Sequence, residues 1–338
     1  MKKENTITNH KTFIILLLFL LLLASILLSI LCGSVSLHLH DILEVLIGND
    51  TSSTAYLLIT TVRIPRMCGG VLSGIGLSVS GTILQGVMNN SLASPNTIGV
   101  NSGAGFAVML AMLLFPGYTS VIPLFAFLGA LCTTLLIFLL AYMADSSRIT
   151  IVLAGITVSS FLSAGINTIK LLDTDITVNL TSFMIGSLSG LTLSRLVLPG
   201  FCILAAFVLA CFLGRFLNVL ELGDDIARSL GLRVGLTRFL LLVISSVLAG
   251  CVVSFAGMLG FIGLIVPHIC RQLFGNDARF LLPCSALLGS SFVLLCDLLG
   301  RVLFSPFELP VGILMSFIGG PFFLYLLLRR KGGRRVHA

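Results

Sequence analysis

Apolar runs long enough to cross a bilayer recur along this chain, and they decide its class before any motif is read. They occupy 13–31, 67–88, 99–115, 121–141, 149–169, 197–213, 239–256, 281–299 and 310–328, with a shorter one at 260–269. A helix needs about 20 such residues to span the hydrocarbon core. Charged residues make up 10% of the 338 and hydrophobic ones 57%, against about 25% charged in a soluble domain. A polytopic membrane protein follows. A soluble dehydrogenase, a nucleic-acid binder and a secreted scaffold are excluded, and the natural surroundings are lipid. The net charge of +7 reads as topology, because the basic residues sit mostly between the apolar runs.

Counting 260–269 as a crossing gives ten helices in one domain over 1–338. Lys2, Lys3 and Lys11 precede the first run, and Arg329, Arg330, Lys331, Arg334 and Arg335 follow the last. An even number of crossings with basic ends places both termini in the cytoplasm. The first run has no Ala-x-Ala site after it, so it reads as a membrane helix and not as a cleaved signal.

Residues 71–81 read VLSGIGLSVSG and residues 247–257 read VLAGCVVSFAG. Gly74 and Gly81 recur as Gly250 and Gly257, and the remaining changes at the serines keep small residues. These stretches are helices two and seven, five apart, so two copies would run in opposite directions. That predicts an inverted internal repeat, with helices 2–5 over about 66–170 and helices 7–10 over about 237–328. Gly70 and Gly74 form a small-xxx-small pair that lets helices approach closely in lipid. The fifth run, rich in Ser and Gly, is expected to be buried in the bundle.

Between 170 and 191 the polarity alternates. Asp173, Asp175 and Asn179 predict an external loop, and 183–190 predicts a short re-entrant or interfacial helix. The longest charged interior stretch is 215–238, with Glu221, Asp224, Asp225, Arg228 and Arg233. Leu222, Ile226, Leu230 and Leu232 suggest a short amphipathic helix there. It is either a solvated connection or a docking surface for a soluble partner.

The nine cysteines lie in or beside apolar runs or near a helix end, with no CxxC. They make neither a disulfide framework nor a zinc or iron–sulfur site, and no metal or cofactor is expected. His268 reads as a hydrogen-bonding residue at a helix end. No Ser-His-Asp or HExxH constellation supports an intramembrane enzyme. No Walker A stretch is present, so uphill transport would draw on an ion gradient or on a separate ATPase. Asp297 is the main ionisable residue within a run, which disfavours the gradient. Arg63, Arg66 and Arg301 fall near the outer surface, against the positive-inside bias. Either Asp297, Glu308 or lipid head groups neutralise them, or they pair with carboxylates of an external docking protein.

At these residues the chain resembles the permease subunits of ATP-binding-cassette importers for iron–siderophore complexes, haem and vitamin B12. The resemblance rests on RIPR at 63–66, SGTILQGVMNNSLASPNTIGVNSGAG at 80–105, LGDDIARSLGLRVG at 222–235, GFIGLIVPHICRQLFGNDARFLLP at 260–283 and ELPVGILMSFIGGPFFLYLL at 308–327. It implies the all-α, ten-helix type II importer permease fold in the bacterial cytoplasmic membrane. It also implies a partner permease, identical or homologous, two ATPase subunits and an extracytoplasmic binding protein.

By the same resemblance Arg63, Arg66 and Arg301 dock the binding protein. Leu222, Gly223, Ala227, Arg228, Leu230 and Gly231 couple to the ATPase. Phe183, Met184, Gly186 and Ser187 lie by the pathway. Gly74, Gly81, Pro95, Gly257, Pro267, His268 and Arg271 are structural. Two departures stand out: the usual Asn-Pro-Leu-Ala is Asn90-Ser91-Leu92-Ala93, and a common tryptophan is Phe183. The expected cargo is a ferric siderophore, with haem or cobalamin as alternatives. A gradient-driven secondary transporter is the reading from another class.

Overall fold

The computed structural model describes residues 2–33, 54–143 and 148–332. Asp145, Arg334, Arg335 and most of the expected external stretch at 33–62 lie outside the described residues. So do the side chains of Lys2, Lys3, Arg148, Asp175, Asn179, Arg329, Arg330 and Lys331. The elements are α1 (Lys2–Leu31), α2 (Ile64–Met88), α3 (Val100–Leu114), α4 (Ile122–Met143), α5 (Arg148–Leu172) and α6 (Thr174–Ile185). They continue as α7 (Leu193–Glu221), α8 (Asp224–Ser229), α9 (Val234–Ala256), α10 (Ile262–Phe274), α11 (Ala278–Val302) and α12 (Val311–Gly332).

Among the described residues seven helices are long and apolar enough to cross a membrane, and three shorter apolar helices, in α3, α10 and α12, accompany them. The fold is all-α and polytopic. The 13 residues of α10 rise only about 20 Å, short of the roughly 30 Å of a bilayer core. This short segment therefore lies within the bundle, flanked by α2, α11 and α12.

Burial separates a core from a periphery. The spanning windows of α2, α9 and α11 are 72%, 72% and 67% buried, while α1, α4, α5 and α7 present most of theirs outward. Small residues make the core possible. A Cβ built on Gly74 would stand 2.3 Å from Ser290 Cα, and one on Gly289 would stand 2.6 Å from the Gly74 carbonyl oxygen. With the backbones of α2 and α11 this close, hydroxyls bridge them. Ser290 Oγ donates to the Val71 carbonyl at 3.0 Å, and Ser78 Oγ to the Ser285 carbonyl at 2.7 Å. On the other side of α2, the hydroxyls of Ser80 and Ser245 of α9 meet at 2.7 Å. Gly250 of α9 in turn faces Phe127 and Ala130 of α4.

Several expectations change. The run expected from 67 starts earlier, because helical structure extends upstream through RIPR. Residues Leu58–Arg63 form a π turn continuous with α2, closed by the Ile64 amide on the Ile59 carbonyl. Pro65 has no N–H and crowds the carbonyl four residues back, and the widened turn accommodates it. Helix α5 is peripheral, with Leu153, Ile156 and Phe161 exposed. Its hydroxyls did not require burial against other helices, because Thr157, Ser160 and Thr168 each donate to the carbonyl four residues earlier.

The stretch expected as an external loop is helix α6. It ends where Gly186 takes φ +84°, so the 183–190 helix is replaced by a helical end and a non-helical segment. His268 and Pro267 lie inside α10, not at its end.

Candidate functional site

Three features distinguish the molecule: an uncharged cavity and an ionic cluster at each end of the bundle.

The cavity has a volume of about 810 Å³, within the range of about 300–1,000 Å³ typical of small-molecule sites. Asn101 and Ser102 of α3 and Ser159 and Ser163 of α5 line one side. Met184 and Ile185 at the end of α6, Met258 and Phe261 before α10, and Ser316 and Phe317 of α12 line the other. A second cavity of about 600 Å³ shares Asn96, Ser159 and Ser163 with it and continues along α5 to Asn167. Among the described residues, no Asp, Glu, Lys, Arg or His lines either one.

Glycines hold the wall. Gly257 has φ +72°, and a Cβ there would lie 2.3 Å from the Phe183 carbonyl oxygen. That oxygen accepts the Met258 amide at 2.9 Å, and the Ala256 carbonyl accepts the Ser187 amide at 2.9 Å. At Gly312 a Cβ would fall 1.8 Å from the Ile185 carbonyl oxygen, and the Gly312 amide donates to the Gly186 carbonyl at 3.2 Å. The sequence group Phe183, Met184, Gly186 and Ser187 is thus laced to α9 and α12. Met184 faces the cavity, and Phe183 is half-buried against the core. The cavity's Asn96 follows Pro95, which opens a short 3-10 turn at Pro95–Ile98. The turn persists with Ser91 in place of a proline: Asn89 ends α2 in the left-handed conformation.

The first ionic cluster gathers Arg63, Arg66 and Arg301. All three are buried, at 5%, 5% and 3% exposure, so they do not stand free at a surface. Arg66 Nε donates to both oxygens of Asp297, at 2.9 and 3.0 Å, and its Nη1 pairs with Glu308 at 2.6 Å. Arg301 Nε pairs with Asp297 at 3.1 Å, while its Nη1 and Nη2 reach the carbonyls of Ser29 and Cys32. Arg63 donates to the carbonyls of Ile30 and Leu31. Three guanidinium groups thus meet two carboxylates, and the carbonyl end of α1 supplies further negative potential equivalent to about half a charge. Within the chain, Asp297 and Glu308 pair with Arg66 and Arg301, while Arg63 is held by carbonyls at the end of α1.

At the opposite end, the expected 215–238 loop narrows to 222–233, because α7 continues through Glu221 and α9 starts at Val234. Gly223 and Gly231 take φ +111° and +81° on either side of α8. Ala227 is fully buried and anchors α8 inward, whereas Leu222, Ile226 and Leu230 are exposed, as is the side chain of Arg228. The apolar residues in and on either side of this short helix therefore point away from the bundle. Asp224 fixes it by pairing with the buried Arg238 at 2.8 Å. Arg271 at the end of α10 pairs with Glu221 at 2.9 Å.

Asn218 donates to Asp277 at 3.0 Å and accepts the Ala278 amide at 2.8 Å. Hydrogen bonds from Arg279, with help from Asn218, hold the Asp277 carboxyl down at about 2. These pairs were not found from sequence. Only the clustering of charge around 221–238 signalled them.

Comparison with known proteins agrees with this geometry. The chain is 36% identical over 329 residues to the Fe(3+)-citrate import system permease protein YfmE of Bacillus subtilis, covering 97% of this chain and 98% of that protein. It is 37% identical over 313 residues to the iron-uptake system permease protein FeuB of the same organism, covering 92% and 93%. It is also 36% identical over 293 residues to the hemin transport system permease protein HmuU of Yersinia pestis, covering 85% and 88%. Among solved structures, an inward-facing metal-chelate type ABC transporter superposes with a TM-score of 0.82 at 29% identity, covering 94% of this chain and 99% of that one. With residues 21–329 matching its family, the chain belongs to the FecCD transport family and is a multi-pass inner-membrane permease subunit of the iron-siderophore and haem class of ABC importers, not an enzyme.

Proposed function

We propose that the cargo is a ferric siderophore and that it passes along the cavity beside α5. The observation that carries this is the uncharged lining of Asn, Ser, Met and Phe. A passage must admit a bulky chelate without holding it. Asn and Ser offer exchangeable hydrogen bonds, and the thioethers adapt to shape. A fixed charge facing a cargo of opposite sign would trap it. Haem is the second reading, favoured by the hemin-transport relative.

Permeases of this kind work with an ATPase and a substrate-binding protein. For this chain we assign the ATPase contact, two subunits per complex, to the outward apolar face of α8. Leu222, Ile226 and Leu230 offer the surface, and Asp224–Arg238 carries displacement into α9. A second permease, identical or homologous, completes the passage on the exposed side of α5. ATP-driven closure of the ATPases then shifts α8, and alternating access follows.

The termini lie in the cytoplasm in this reading. The binding protein docks at the face above Arg63, Arg66 and Arg301. Because these groups are already engaged, an incoming carboxylate would have to exchange with Glu308, the more exposed of the two internal acids. The inverted repeat is supported by reciprocal contacts: Gly74 of α2 meets α11, and its counterpart Gly250 of α9 meets α4. Helices α11 and α4 are themselves counterparts in that scheme.

The test is uptake in cells expressing the permease with its binding protein and ATPase, across ferric siderophores, haem and cobalamin. Ferric-siderophore uptake that is lost on ATPase inactivation is the expected result. Uptake of haem or cobalamin alone, or uptake that survives without the ATPase and falls with an ionophore, overturns it.

A further inference from the structure

Pro267 lies inside α10 and has no N–H to give. In an α-helix residue 267 would donate to the carbonyl of residue 263. That carbonyl, in the membrane interior, therefore lacks its ordinary partner, and a buried acceptor left unmet is costly.

Two observations show where it turns. A Cβ built on Gly81 of α2 would lie 2.0 Å from the Gly263 oxygen, so the carbonyl points at α2. One turn along α2, Gln85 is 2% exposed. Its Nε2 is 3.3 Å from the Gly263 oxygen and 3.4 Å from the Leu264 oxygen. Reversing the carboxamide would set an oxygen against two carbonyl oxygens, so only this orientation is attractive. Its Oε1 is buried with no hydrogen-bond partner among the described residues.

The residues that lead into α10 form part of the cavity wall. Phe261, immediately before the helix, lines the cavity with φ +65°, a conformation that a bulky residue keeps only when its surroundings enforce it. Its ring lies where a side chain on Gly319 of α12 would be, 2.3 Å from the Cβ site.

We infer that Gln85 is a positioning residue for translocation: its carboxamide replaces the N–H that Pro267 lacks and so holds the first turn of α10, and with it Phe261, at the wall of the passage. This inference rests on the reading of the cavity as the passage. Gly81 and Gly263 supply the close approach, Gln85 the donor, and Pro267 creates the need for one. The bonds are long, so the link can yield when α10 moves.

The test is a double-mutant cycle in the complete importer. Gln85→Leu removes the donor at similar volume and should lower the maximal rate of ferric-siderophore uptake by about tenfold, the equivalent of about 1.4 kcal/mol, with the apparent KM for loaded binding protein unchanged. Pro267→Ala restores an N–H to the same carbonyl. In that background Gln85→Leu should change uptake by less than about twofold.

Equal losses in both backgrounds, or full uptake by Gln85→Leu alone, overturn the inference. If Gln85→Leu fails to insert, membrane yield becomes the readout: rescue by Pro267→Ala supports the link, and no rescue overturns it. A Ser163→Trp variant tests the passage separately. Full uptake with that bulk in the cavity refutes the passage, whatever the cycle gives.

Discussion

Replacing Asp297 with Asn tests the first ionic cluster. The aspartate is 1% exposed and sits between two guanidinium groups, with Arg66 donating at 2.9 and 3.0 Å and Arg301 pairing at 3.1 Å. Asparagine keeps the shape, removes the charge and turns an N–H₂ toward one of the cations. Removing one member of a buried ion pair costs roughly 3–5 kcal/mol, because the other charge is left uncompensated. The lower end applies here. Arg66 keeps Glu308 at 2.6 Å, and Arg301 keeps the α1 carbonyls, so the expected loss is about 3 kcal/mol.

The assay is thermal or denaturant unfolding of the detergent-solubilised importer, read with Asp297→Asn/Arg301→Gln as the compensating pair. The double variant removes the excess cation and should recover about half of the loss. A single variant within about 0.5 kcal/mol of the parent, the scale of a surface change, would refute the argument that these charges stabilise one another.

Three further outcomes follow from other contacts. Gly74→Ala must separate α2 from α11 by more than an ångström to relieve a 2.3 Å approach, and should cost about 1–3 kcal/mol; Gly320→Ala, with nothing within 4 Å, is the control, and equal melting of the two would contradict the crossing. Asp224→Asn should leave membrane insertion intact while reducing ATP-driven uptake several-fold, since it releases α8 from Arg238; unchanged uptake per inserted protein would remove that pair from the coupling route.

Asp277 is held at about 2, below its ordinary 3.8, so its contribution is present above the ordinary value and is lost as pH falls through the folded one. The stability gap between the parent and Asp277→Asn should be flat from about pH 5 to 8 and shrink below about pH 4. A gap that grows on acidification would reverse the assignment.

The sequence showed the crossings because hydropathy is local, and it showed Gly74 and Gly81 because small residues in an apolar run have few other uses. It misjudged α5 for a local reason too. Serine in a membrane helix was taken to need a neighbour, but back-bonding to the same helix satisfies Ser160, leaving Ser159 and Ser163 to line the cavity. The polar 174–185 stretch resembled a loop, and Gly186, which ends its helix, was placed inside the short helix expected over 183–190. The sequence named Asp297 and Glu308 as groups that could neutralise the arginines, but not which guanidinium each takes, since Arg66 and Asp297 are 231 residues apart. The docking reading of the three arginines relied on their being near an outer end. Their burial depends on α1 and α11 closing around them, which only the fold determines.

The distribution of charge bears on how such a chain can move. Both ionic clusters lie at helix ends, one joining α1, α2 and α11 and the other joining α7 to α10 and α11 through Arg271 and Asn218, and α8 to α9 through Asp224. Between them, α2 meets its neighbours through hydroxyls, glycines and one carboxamide. Buried ion pairs resist separation because either charge left alone is costly, whereas neutral hydrogen bonds exchange at about 1 kcal/mol each. The ends are thus fastened and the middle is comparatively free to slide. Helix α10 is tied at its far end by Arg271 to Glu221 and at its near end by the neutral Gln85. A displacement of α8 should therefore reach the cavity as a swing of the first turn of α10 about its anchored far end, with Phe261 as the part of the wall that moves most.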